Sequence, residues 1–127
     1  MDAKEAGIMA LARDVTIHVK NGDGKSDIYT VPAGKKMIVV FVAIHSPTAN
    51  LSGGSDFDLG DGVSANTWKN AVSLVNLTSA TKFIVISGDN TVYTIFDAGD
   101  VFGIKPVTGA TLDADAKADL FGYLFDE

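Results

Sequence analysis

The segment DADAKADLFGYLF, Asp113 to Phe125, alternates without a break. Ala114, Ala116, Ala118, Leu120, Gly122 and Leu124 fall on one side, and Asp113, Asp115, Lys117, Asp119, Phe121, Tyr123 and Phe125 on the other. A period of two puts these sets on opposite faces of a β-strand, whereas a helix would scatter both around its axis. One face is small and apolar and suits a sheet core. The other changes from charged to aromatic halfway along. Burying an aromatic ring removes about 150–250 Å² from water, worth several kcal/mol for three rings at ~25 cal/mol per Å². A two-layer sandwich covers only one face of each sheet, so Phe121, Tyr123 and Phe125 need a cover of their own. It is supplied either by a second copy of the chain or by the N-terminal segment folding back through Ile8 and Leu11.

The same period recurs upstream. VTIHVK sets Val15, Ile17 and Val19 against Thr16, His18 and Lys20. NGDGKS follows, with Asn-Gly and Asp-Gly pairs that tolerate positive φ, so DIYTV is expected to return as the second arm of a hairpin or loop. Pro32-Ala33-Gly34 is the next turn. Met37 to Ile44 is apolar throughout, which predicts a central strand covered on both faces. SPTANLSGGS is a loop, and SDFDLGDG a short strand with Phe57 and Leu59 inward. Ala65 to Leu77 reads as a short helix or a twisted strand, with strand after an irregular start favoured. Further strands are expected over Lys82–Ser87, Thr91–Asp97 and Asp100–Val107.

Eight or so short strands punctuated by turns predict an all-β antiparallel β-sandwich of jelly-roll type. Met1 to Asp14 precedes them with Ile8, Leu11 and Ala12 at helical spacing, which predicts a short N-terminal helix or arm. The expected organisation is an arm over residues 1–14 and a sandwich domain over 15–127.

Composition narrows the function classes. Cysteine is absent, which removes disulfides, thiolate metal sites and cysteine nucleophiles together. A net charge of −6 disfavours nucleic acid, whose phosphates require clustered Lys and Arg. The longest apolar run falls far short of the roughly 20 residues of a membrane-spanning helix, and no basic, apolar leader opens the chain, so synthesis in a cytoplasm is expected.

Local signatures of catalysis are missing: no Gly-x-Ser-x-Gly, phosphate-binding glycine loop or His-Glu-x-x-His. Neither His18 nor His45 has a ligand partner at a spacing that would fix a metal on one strand or loop. No cofactor, no metal and no enzyme activity are expected. Asp56, Asp58 and Asp61 offer oxygen ligands of the kind calcium takes, but they do not follow the EF-hand pattern, and turn formation accounts for them. A second reading makes them a carbohydrate site, with Trp68 stacking on a sugar face and the three carboxylates bonding its hydroxyls.

The closing Phe-Gly-Tyr-Leu-Phe, Phe121 to Phe125, resembles the end of the last strand in trimeric jelly rolls of the tumour-necrosis-factor and C1q kind. That resemblance implies a threefold contact built from aromatic side chains. From Val31 to Phe125, the order of Pro-Ala-Gly turn, apolar strand, Ser-Pro-Thr-Ala loop, Gly-Gly and Asn-Thr-Trp resembles small bacteriophage virion proteins of the capsid-decoration, head-fibre and tail-fibre type. It implies a structural homotrimer located in the virion, joined through Phe121, Tyr123 and Phe125. Its partners would be the major capsid protein or other virion proteins, reached through Ile8, Met9 and Leu11 of the arm.

Overall fold

The computed structural model describes residues 7–88 and 93–127, and among these every regular element is a strand. In chain order they are β1 (Met9–His18), β2 (Ser26–Thr30), β3 (Lys35–His45), β4 (Asp56–Gly60), β5 (Lys69–Val72), β6 (Phe83–Ser87), β7 (Ile95–Phe96), β8 (Val101–Thr108) and β9 (Asp115–Asp126). Two antiparallel sheets form a sandwich. One runs β1-β9-β3-β6 with β7 also paired to β3, and the other runs β2-β8-β4-β5. The first strand pairs with the last, β2 with β8, β3 with β6 and β4 with β5. Outer pairs therefore nest around inner ones.

Alternation decides what enters the core. From the five-stranded sheet come Ile17, Met37, Val39, Val42, Ile44, Ala116, Ala118 and Leu120. From the four-stranded sheet come Ile28, Phe57, Leu59, Phe102 and Ile104, all buried. The alanines of β9 sit between bulkier neighbours, Ala116 opposite Ile17 and Ala118 opposite Ile44, so large and small side chains interlock across the layer. Phe102 is the aromatic centre. Trp68 and Phe96 each meet it edge-on with ring centroids 5.5 Å away, the arrangement the ring quadrupole favours.

The Pro-Ala-Gly turn forms as its residues require. Lys35 N–H donates to the Pro32 carbonyl at 3.2 Å, and Gly34 takes φ +76°, the positive angle of the third turn position. The unbroken apolar run after it has a different cause from the one expected. The pairing of β3 with β9 shifts between Val39 and Phe41, so Val40 is an extra residue that reverses the alternation. Met37 and Val39 point inward before it and Val42 and Ile44 after it, leaving Ile38, Phe41 and Ala43 outside and only half-buried. Among the described residues β3 is covered on one face, not two. At the bulge β9 passes so close to β3 that a Cβ on Gly122 would lie 2.1 Å from the Ile38 carbonyl oxygen.

Two expectations about the ends of strands are corrected. Residues 9–14 are neither helix nor free arm: they are the first half of β1, paired with β9. The helical spacing of Ile8, Leu11 and Ala12 spans a single turn, too little to outweigh the backbone hydrogen bonds that β9 offers. DIYTV does not return beside β1, because β2 crosses to the other sheet and pairs with β8. Within Ala65–Leu77 only Lys69–Val72 is strand. Of the expected Thr91–Asp97 strand, Ile95 and Phe96 form β7, while residues 91 and 92 lie outside the described residues.

Candidate functional site: the outer face of the five-stranded sheet

The three aromatic residues of β9 lie together on the sheet surface turned away from the core. Phe121 stacks on Phe41 with centroids 4.4 Å apart and planes 16° from parallel. Tyr123 lies opposite Ile38, and Phe125 opposite Lys36. The patch continues through Ile95, which faces Ile38, to Phe83 and Val85 on β6, where Phe83 is 69% exposed. Phe41 and Ile38 were illegible as surface residues because the bulge at Val40 hides the alternation of β3. β1 does not cover this patch. It lies beside β9 in the same sheet, with Ala10 opposite Phe121. Lys35 bonded to Asp126 and Lys36 bonded to Asp97 border the aromatic end with ion pairs.

The other end of the same face is polar. His18 Nδ1 is 2.7 Å from Asp115 Oδ1, and this hydrogen bond, together with the carboxylate's charge, raises the His18 pKa above its ordinary 6.5. Lys117 donates to Thr16 Oγ1 at 2.6 Å. In β1, Arg13 and Asp14 together stand opposite Asp119, a bulge in which Asp14 takes φ 53°. Its backbone N–H donates to Asp119 Oδ1 at 2.7 Å. The bulge turns the Asp14 side chain toward His45 on β3: His45 Nε2 is 3.4 Å from Asp14 Oδ1 and 3.2 Å from Asp119 Oδ2. Residues distant in the sequence thus meet across three strands. Spacing within one segment carries no signal of this, and only the register of β1 and β3 on β9 reveals it.

The remaining residues singled out in the sequence separate. Ile8 and Met9 are half-exposed at the edge of the sheet, whereas Leu11 packs against the core. Trp68 is 8% exposed and its Nε1–H donates to the Val39 carbonyl at 3.2 Å, so it has no free face for a sugar, and the carbohydrate reading loses its platform. Asp58 accepts from the Ala71 N–H and Asp61 from Thr67. Asp56 faces Thr108 across the sheet. These three carboxylates form no group able to share an ion among the described residues. An open cavity of about 660 Å³ lined by Lys25, Asp27, Asp61, Asp100 and Lys105 carries both signs of charge, and Lys25 is already held by the Val101 carbonyl at 2.6 Å. Among the described residues no helix is long and apolar enough to cross a membrane.

No family model matches the chain, and no curated protein does. Among solved structures the fold is similar to that of a chain in the cyanophage Pam1 capsid asymmetric unit, with a TM-score of 0.59 at 14% sequence identity, over 97% of this chain and 89% of that one. At that identity the likeness is one of fold: the same sandwich built from a largely different set of side chains.

Proposed function

We propose that this protein is a non-enzymatic structural component of a bacteriophage virion, a capsid-decoration or fibre protein, that assembles as a homotrimer through the outer face of its five-stranded sheet. The observation that carries this reading is the patch of Phe41, Phe83, Val85, Ile95, Phe121 and Tyr123 on a surface that none of the described residues covers. Contiguous apolar surface of this kind marks contact with another molecule, and its border of Lys–Asp pairs suits the polar rim of such an interface. The resemblance of the last strand to trimeric jelly rolls favours threefold closure, and the fold shared with a chain of a cyanophage capsid favours the virion as the setting. Association with the major capsid protein or other virion proteins then falls to Ile8 and Met9, exposed where β1 forms the sheet edge. No cofactor enters.

Native mass spectrometry at micromolar concentration tests the assembly: three chain masses are expected, and a strictly monomeric protein refutes it. Mass spectrometry of purified virions tests the setting, which fails if the chain is absent from them. Ile8→Asp with Met9→Asp is expected to preserve the trimer and abolish incorporation into particles.

A further inference from the structure

We propose that Asp14, His45 and Asp119 form a binding site for one divalent transition-metal ion of the zinc class. Among the described residues they are the group of three whose ligand atoms all lie within 4.8 Å of one another. Each is supplied by a different strand, at the polar border of the apolar patch, where His45 stands opposite Phe83.

The distances of His45 to the two carboxylates are compatible with a shared ion. A charge-assisted N–H···O bond spans about 2.7–2.9 Å, and the chain builds one such contact at His18–Asp115, at 2.7 Å. The two contacts of His45 Nε2 are longer, 3.2 and 3.4 Å, and Nε2 has no hydrogen-bond partner of acceptable geometry although that atom is fully buried. Buried polar atoms are nearly always satisfied. Donors bound at about 2.0–2.2 Å to one ion stand roughly 2.8–3.6 Å apart across octahedral and tetrahedral angles. Both contacts fall in that interval.

The surroundings set the protonation and the access. Ser46 Oγ lies 2.8 Å from His45 Nδ1. The hydroxyl can accept from Nδ1–H when Nε2 binds an ion, the outer-shell support that ligating histidines ordinarily have. Lys117, opposite His45 on the neighbouring strand, is engaged with Thr16. Asp14 is 73% exposed at its side chain, and a depression lined by Ser46, Lys82 and Phe83 opens beside His45 and Asp119. An ion there keeps coordination positions for water. One imidazole with two carboxylates favours zinc, cobalt or nickel over calcium, which takes oxygen alone.

The test is calorimetric titration of the EDTA-treated full-length protein with Zn²⁺, with histidine NMR in parallel. One Zn²⁺ per chain is expected, with a shift of the His45 Nε2 resonance and a rise in melting temperature. Binding should vanish in His45→Ala, weaken at least tenfold in Asp119→Asn, and persist in His18→Ala. Asp14→Asn alters an exposed side chain, so it keeps the test decisive if His45→Ala does not fold, and it too should weaken binding. No binding at micromolar Zn²⁺, or affinity unchanged in Asp14→Asn and Asp119→Asn, overturns the proposal. So does a His45 resonance that moves with pH but not with Zn²⁺, which identifies a charged His–Asp cluster instead.

Discussion

The two sheets share one core, yet their outer faces differ. On the four-stranded sheet the outward positions of β2, β4 and β8 include Asp27, Asp56, Asp58 and Lys105, with Asp58 opposite Lys105, a surface content in water. On the five-stranded sheet the outward positions of β3, β6 and β9 include Ile38, Phe41, Phe83, Val85, Phe121 and Tyr123. Both faces obey the same alternation, so period alone separates core from surface and says nothing about what the surface meets. The chemistry of the outward set carries that information: an apolar outer face on a sheet whose inner face already has its core points to a partner.

The largest effect expected is therefore asymmetric. Phe121→Asp with Tyr123→Asp places two charges at the centre of the aromatic patch and should reduce the assembly from trimer to monomer or to aggregate, read by sedimentation. The matching change on the opposite face, Lys105→Ala, should leave the mass unaltered and cost about 0.5 kcal/mol or less. Equal effects from the two would dissolve the distinction between the faces.

Next in size is Gly122→Ala. Its methyl would meet the Ile38 carbonyl oxygen at 2.1 Å, so β9 must withdraw from β3 at the bulge that presents Phe41 to Phe121. A loss of about 1–3 kcal/mol is expected from overpacking of this kind, which at a few degrees per kcal/mol lowers the melting temperature by roughly 5–10 °C for a domain of this size. A variant as stable as the parent would show that the two strands need not approach so closely, and that the stacked pair of rings does not depend on the bulge.

How far the molecule was legible follows from these same residues. Strands with strict alternation, β9 above all, declare their faces, and Phe57 and Leu59 were placed inward from SDFDLGDG alone. Gly34 was legible because a tight turn requires its positive φ. Val40 was not, since a bulge inside an unbroken apolar run leaves no mark on composition, and with it went Ile38 and Phe41 as surface residues. β1 was underestimated at its start because its strand character is conferred by pairing with β9 rather than by Met9–Asp14 themselves. A lone Trp in such a sequence is more often a core or interface residue than a ligand platform, and the bond of Trp68 to Val39 and its contact with Phe102 place it in the core. Asp14, His45 and Asp119 were invisible as a group for the same reason: nothing but register brings them together.

The smallest expected effect concerns the polar end of the outer face, and it separates that end from the aromatic one. Asp115 raises the His18 pKa first through the hydrogen bond to Nδ1 and then through its charge, with lesser help from Asp23 and Asp113. A histidine whose folded pKa lies above its unfolded value of about 6.5 contributes stability that is fully present below that value and lost as pH rises through the folded pKa. The gain belongs to solution below about pH 6.5 and fades as pH rises through the raised folded value. His18 is solvent-exposed, so the effect on melting should be slight and should shrink further as salt screens the pair. NMR titration measures it directly. The His18 resonance should titrate above 6.5 in the parent and return toward 6.5 in Asp115→Asn, in the proposed trimer and in the Phe121→Asp, Tyr123→Asp variant alike, since His18 lies at the opposite end of the face from the rings. A His18 pKa that changes when the trimer is broken would place the polar end inside the subunit contact and extend the interface across the whole sheet.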